Sequence, residues 1–328
     1  MLKEQVLNTI KKYNLISEND KIICGVSGGP DSICMLDILK DLTEKIRFEI
    51  IVCHVNHLIR EEAISDEEYV VNYCKKNKIK CYVKRIDVKN YANNNKQGTE
   101  EAGRTVRYKF FDEILEKENA NKIAIAHNKN DKIETIIMNM LRGSGVSGLR
   151  GIEPKRNNKY IRPLIEIQRA QIEEYCLENN LEPRIDKTNF INDCTRNKIR
   201  NIVIPYIKKE FNPNIINTID RLSSVIEEED KYLEKVTKES FDRLKIKEEK
   251  GLIILNLKEF NKQDRVIKKR LIIYTINKTI GNVQNIEKVN IDDIIKLCDK
   301  NIGNKYLMPN KNIKILVNKN QIFFEAKY

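Results

Sequence analysis

Six consecutive residues, Ser27, Gly28, Gly29, Pro30, Asp31 and Ser32, place two hydroxyls, a carboxylate and two glycines in one tight turn. The glycines have no Cβ, so the backbone can reverse sharply and approach a ligand closely. Pro30 donates no backbone hydrogen bond, but its fixed φ suits the first turn of a helix. The remaining amides and the hydroxyls of Ser27 and Ser32 then converge at the positive end of a helix dipole. Such a place binds anions, and phosphate is the usual occupant. The turn is not a Walker loop, because GxxxxGK[ST] cannot be threaded through it and no lysine stands where one is needed.

Other residues with chemistry to offer fall in a limited number of places. The only histidines, His54, His57 and His127, each lie at the C-terminal end of a predicted strand. His127 and Asp131 are four apart at a strand-to-helix junction and can converge on one point. Arg104 and Arg107 are three apart and share a helix face, as do Arg196 and Arg200, four apart. Arginine forks suit phosphate.

These residues need elements to position them. Lys21–Leu42 reads as a short apolar strand, the turn, and an amphipathic helix. Phe48–His57 reads as a strand, and Ser65 with Glu68 forms a capping box that starts the next helix. Lys80–Val88 reads as a strand, Arg107–Ala120 as a helix and Lys122–Asn128 as another strand. Asn130 is the expected cap of the helix that follows, which ends before Gly143. Repeated βα units imply a parallel sheet covered on both faces, with ligands at the carboxyl ends of its strands. The pattern changes near Phe211–Asn214. From there a long charged helix, a strand at KGLIILNLKEF, two further helices and a terminal hairpin with turns at Pro309–Asn312 and Asn318–Asn320 are expected. The expected domains are 1–215 and 216–328, the second smaller and mainly helical.

The composition sets bounds. A chain of 328 residues, 41% hydrophobic and 33% charged, fits a globular protein of about two domains. No apolar run approaches the length of a membrane span, and the N-terminus reads as an amphipathic helix rather than a signal peptide. The net charge of +12 suits a polyanionic partner, although the abundance of Lys, Asn and Ile together weakens that argument. Eight cysteines without a CxxC pair, with Cys24, Cys34 and Cys53 in apolar segments, point to reduced thiols in a cytoplasmic protein.

The SGGPDS turn resembles the SGGxDS loop of the N-type ATP pyrophosphatases, the PP-loop fold. Four further blocks follow in order: HVNHLIR (His54–Arg60), EEAGRTVRY (Glu100–Tyr108), AHNKNDKIET (Ala126–Thr135) with RGSGVSGLRG, and RPL, DKTN and TRNKIR within Arg162–Arg200. Together they resemble the tRNA(Ile)-lysidine synthetase family over about Ile22–Arg200. The resemblance implies an α/β, adenine nucleotide alpha hydrolase-like domain. It also implies an ATP-dependent ligase that joins free L-lysine to C2 of the wobble cytidine of tRNA(Ile). The route is through an adenylated base, releasing pyrophosphate and AMP.

Carried onto this chain, the resemblance makes Asp31, His127 and Asp131 catalytic. His127 would stabilise the α-phosphate or move a proton, and Asp131 would orient lysine or deprotonate it. Ser27, Gly28, Gly29, Pro30, Asp31, Ser32, His54 and Arg107 would bind ATP, with Asp31 holding Mg²⁺. Arg60, Arg104, Glu134, Arg142, Arg196 and Arg200 would meet tRNA or lysine. Oligomeric state is left open, a dimer included. The chain departs from the family's AHHxDDQxET pattern at Asn128, Asn130 and Lys132, which touches lysine or metal binding first. Two other readings stand beside this one. A PP-loop tRNA thiolation enzyme needs a sulfur-carrying cysteine or a cluster, commonly presented by CxxC. A non-catalytic module binding tRNA or nucleotide would not need Asp31, His127 and Asp131.

Overall fold

The computed structural model describes residues 1–58, 63–184, 191–283, 285–301 and 305–327. Two compact units are present, Met1–Ser224 and Val225–Tyr328. The division falls inside one 30-residue helix, Ile215–Leu244.

In the first unit, α1 (Leu2–Lys12) precedes β1 (Lys21–Gly25), α2 (Pro30–Leu42), β2 (Glu49–Asn56), α3 (Ala63–Lys76), β3 (Lys80–Arg85), α4 (Val88–Asn95), α5 (Thr99–Lys117), β4 (Lys122–Ile125) and α6 (Lys129–Leu141). Two-residue strands β5 (Lys155–Arg156) and β6 (Tyr160–Ile161) follow. Then come α7 (Arg169–Glu178), α8 (Thr195–Lys198), a π-helical turn over Ile199–Val203, and α9 (Ile204–Glu210). The sheet order is β3-β2-β1-β4-β6-β5, parallel throughout except for β5 against β6.

Strand β1 is central, and its Ile22, Ile23 and Cys24 are fully buried because helices cover both faces. Each of the two isoleucines contributes about 1.5–3 kcal/mol by leaving water. The strand order reverses around β1, so the residues beyond the carboxyl ends of β1, β2 and β4 share one rim. That rim receives Ser27–Ser32, His57 and His127.

Local differences from the expectations have physical causes. Helix α3 is already under way at Ala63, so Ser65 lies inside it rather than at its start. Asn128, not Asn130, caps α6: its side chain accepts from the Asp131 amide while Asp131 accepts from the Asn128 amide. Strand β4 therefore stops at Ile125. Helix α5 begins at Thr99, eight residues before Arg107, and so puts Arg104 and Arg107 mid-helix.

The expected long helix α10 (Ile215–Leu244) crosses that division, and its second-unit part runs into β7 (Lys245–Glu249) and β8 (Leu252–Asn256). Helices α11 (Leu257–Asn261), α12 (Arg265–Ile280) and α13 (Lys288–Lys300) follow, then β9 (Lys305–Asn310), β10 (Ile313–Asn318) and β11 (Gln321–Ala326). The sheet is antiparallel, ordered β7-β8-β11-β10-β9, and larger than one strand and one hairpin. In β10 alternate residues Ile313, Ile315 and Val317 are buried, packing in one core with Leu271, Ile272 and Ile276 of α12.

Candidate active site

The phosphate cradle is built by the turn's own side chains. Gly28 sits at φ +93°, a conformation L side chains rarely adopt, and Pro30 opens α2. Ser32 Oγ donates to the Gly29 carbonyl at 3.0 Å and accepts from the Ser27 amide at 3.1 Å. The two serine oxygens are 3.2 Å apart. The Gly28 carbonyl accepts from the Arg184 amide at 2.9 Å, which fixes the reversal. The amides of Gly28, Asp31 and Ser32 have no acceptor among the described residues, and they lie at the positive end of α2.

Asparagine 128 joins this cradle to α6. Its buried side-chain amide donates to Asp31 Oδ1 at 2.8 Å while its oxygen caps Asp131. The guanidinium of Arg169, at the start of α7, lies 3.8 Å from both carboxylates. Burial, then repulsion from Asp131, pushes the Asp31 carboxyl up to about 6 against the pull of Arg169, Asn128 and Arg200. On the other side of Asp131, Arg200 donates to Oδ1 at 3.0 Å and grips Glu134 through Nε at 2.6 Å and Nη2 at 2.8 Å. Burial raises Glu134 despite that grip. Arg200 belongs to the π-helical turn, a local widening that recurs at functional sites.

His127 follows β4 and is held differently. Arg162 Nε donates to His127 Nδ1 at 3.0 Å, and its Nη1 donates to the Glu153 carbonyl at 2.5 Å. A guanidinium cannot accept, so the imidazole lone pair is used there and the proton sits on Nε2. Burial, helped by the positive charge of Arg162, depresses this imidazole to about 4 against the attraction of Asp131. His127 is thus a neutral donor at ordinary pH. It lines a cavity of about 400 Å³ together with Arg104, Thr135, Arg150, Arg162 and Arg196.

His54 lies within β2, nearly fully buried, with Nδ1 donating to the Val26 carbonyl at 2.9 Å. Burial lowers it, and its Nε2 is a buried acceptor without a partner among the described residues. His57 is lowered to about 4 by burial, then by Arg107 and His54. Arg107 is exposed on α5.

Asp31, Asp131, Glu134 and Arg200 therefore form one hydrogen-bonded centre, with His127 beside it and Arg196 donating to Thr135 at 3.1 Å. Arg142 is not brought there. It caps the far end of α6, about 16 Å along the axis from Asp131. Arg60 and the DKTN segment lie outside the described residues. Asn130 accepts from the Arg169 amide and Lys132 pairs with Asp220 at 2.9 Å, so both departures do structural work. Arg162, as a partner of His127, and Arg169 were missed by sequence reasoning. The signal available for Arg162 was its place at the head of RPL.

The PP-loop domain family matches residues 2–207. A tRNA(Ile)-lysidine synthase of Clostridium acetobutylicum is 46% identical over 323 residues, 98% of this chain and 69% of that protein. One of Clostridioides difficile is 42% identical over 98% of this chain and 70% of its own length. Among solved structures, the U34-tRNA thiolase NcsA from Methanococcus maripaludis, with its [4Fe-4S] cluster, has TM-score 0.56 and 21% identity. The match covers 69% of this chain and 78% of that one, a likeness of fold.

Proposed function

The chain belongs to the tRNA(Ile)-lysidine synthase family, ATP-dependent ligases acting on tRNA, and we propose how its residues divide that family's reaction. The PP-loop amides and Ser27 and Ser32 hold the β- and γ-phosphates of ATP. His54 and Arg107 border the nucleotide on the β2 side. O2 of the wobble cytidine attacks the α-phosphate, the α–β bond breaks, and pyrophosphate leaves with the electron pair. His127 donates its Nε2–H to the α-phosphate oxygen, where negative charge builds.

Asp131, held in place by Arg200, then orients the lysine ammonium and takes its proton. The free amine, whose ordinary pKa is about 10.4, attacks C2, and the C2–O2 bond breaks to release AMP. Adenylation is what makes O2 a competent leaving group. Glu134 positions Arg200, while Arg104 and Arg196 face the RNA. Arg142, at the far end of α6, is left to peripheral contact with tRNA.

Asp31 fits a magnesium ion. It is a carboxylate beside the phosphate cradle, and burial and Asp131 leave its negative charge short of compensation. Magnesium needs only one or two protein carboxylates, with phosphates and water completing its shell. When bound it would neutralise charge on the departing pyrophosphate. We also place the protein in the cytoplasm with its tRNA.

Asn128 carries this reading, because it links the phosphate cradle and the α6 acid site into a single centre. The test is nucleoside mass spectrometry of tRNA(Ile) incubated with the protein, ATP, Mg²⁺ and lysine. Lysidine should appear together with stoichiometric pyrophosphate. Unmodified cytidine with a folded, ATP-binding protein would remove the assignment.

A further inference from the structure

The cavity beside His127 carries far more positive charge than it balances. Arg104, Arg150, Arg156, Arg162 and Arg196 line it, against Glu153 as the one acidic residue among its described lining. Some of that charge is engaged: Arg150 pairs with Glu153 at 2.7 Å, Arg196 lies 3.8 Å from Glu134, and Arg162 holds His127. Arg104 and Arg156 have no carboxylate within salt-bridge reach among the described residues. Both are exposed, and both rest on aromatic faces instead. Arg156 lies 4.8 Å from the Tyr160 ring centroid and 5.8 Å from that of Tyr108, and Arg104 lies 5.0 Å from Tyr108. Arg104 also donates through Nη2 to the Tyr108 hydroxyl at 3.3 Å, and the other N–H groups along the edge of a guanidinium held by its face can meet a planar or tetrahedral oxyanion.

We propose that this cavity seats the RNA backbone phosphate flanking the wobble cytidine, with Arg104 and Arg156 as its principal donors. The proposal rests on the reading above, since it needs the cytidine to reach His127. Three observations favour an RNA phosphodiester over free pyrophosphate. Pyrophosphate already has a cradle in the PP-loop. Next, a second recess of about 370 Å³, lined by Glu101, Arg104, Thr105, Tyr108, Arg156 and Tyr160, shares both arginines. The two recesses therefore form a track longer than one small anion. Finally, the donors come from α5 and β5, well separated in sequence, so the track crosses elements as a strand of nucleic acid would.

The test is the affinity of the whole protein for tRNA(Ile) over a series of KCl concentrations, for wild type, Arg156→Gln, Arg156→Lys and Arg104→Gln. Each lost phosphate contact should weaken binding several-fold and lower the log–log salt slope by about 0.7–1. Arg156→Lys should restore the slope, a recovery that a purely structural role would not give. Arg104→Gln reads the same cavity from a different element should Arg156→Gln misfold. Inhibition by inorganic pyrophosphate should be unchanged in each variant.

Unaltered slopes in both glutamine variants overturn the proposal. So does weaker pyrophosphate inhibition with tRNA binding intact, which would make the cavity a pyrophosphate site. These are binding measurements, so they stand apart from the lysidine assay: failure of that assay in wild type would remove the function and leave the slopes to be read.

Discussion

Asp31 and Asp37 lie six residues apart on the same helix, and the fold treats them oppositely. Asp37 faces α3 and α7, where it accepts from Tyr73 at 2.6 Å and Tyr175 at 2.7 Å, and it accepts from Lys40 of its own helix at 2.8 Å. Burial alone would raise it, but those donors outweigh burial and hold it below the usual carboxylate range. Asp31 faces the rim with one amide at 2.8 Å and a guanidinium 3.8 Å away, and its carboxyl is pushed up to about 6. Within 10 Å of helix axis, a charge completed by protein gives way to one left for a ligand to complete. An imbalance of this kind marks a functional site, because it costs stability that nothing in the apo-protein returns.

The largest effect expected from breaking this contrast is on chemistry. Asp131→Asn should lower lysidine formation by about 10²–10⁴-fold, the range for losing a positioned acid–base group. The protein should stay folded but lose some thermal stability, because an asparagine oxygen still accepts from the Asn128 amide while its NH2 replaces the oxygen that accepts from Arg200. Wild-type turnover in a nucleoside assay would take Asp131 out of the mechanism.

Stability should separate the two α2 aspartates next. Asp37→Asn leaves three donors facing a weaker acceptor and should cost about 2–3 kcal/mol at pH 7.5 in urea unfolding. Asp31→Asn should stabilise the apo-protein by about 1–2 kcal/mol there while abolishing turnover. The signs follow from linkage. A raised carboxyl contributes stability below its unfolded pKa, near 4, and loses it as pH rises through about 6, so the penalty that Asn removes grows from about pH 4 and is complete above about 6. A lowered carboxyl contributes above about 4 and loses its contribution as pH falls through its folded pKa, so Asp37→Asn hurts most near neutrality. Stability shifts of one sign in both variants would end the comparison.

What the sequence disclosed and what it withheld follow the same division between local and distant causes. The PP-loop, its strand and its helix were readable because glycine, proline and an apolar run act within a few residues. The rim was readable because parallel βα units leave few other places for a ligand. Helix α4 was not, since VKNYANNN is polar and buries only Val88 and Ala92. Strands β5 and β6, two residues each, are too short for periodicity. The α6 cap was misplaced because Asn128 and Asn130 are the same residue type two positions apart. Arg200 was visible as an arginine, but its carboxylate partners lie 66 and 69 residues away, beyond any pattern on one helix. Arg169 and Arg162 were obscured in the same way.

The smallest effect concerns how charge is left open at His127, and it separates a donor from a base. With Nδ1 occupied by Arg162 and the imidazole depressed to about 4, His127 should contribute no ionisation between pH 5.5 and 8. The acid limb of kcat/KM for ATP should instead fall near pH 6, where Asp31 takes up a proton. Asp31 cannot be mutated to test this without losing turnover, so the measurement uses His127→Gln, whose side-chain amide can present an N–H where Nε2–H stood. That variant should retain activity within about tenfold, and its pH profile should keep the same limb. His127→Ala, which removes the donor, should lose about 10²-fold, the cost of one oxyanion donor. If His127→Gln is as inactive as His127→Ala and the limb near pH 6 vanishes, the imidazole itself exchanges the proton. The rim would then contain a second acid–base group in place of a fixed dipole.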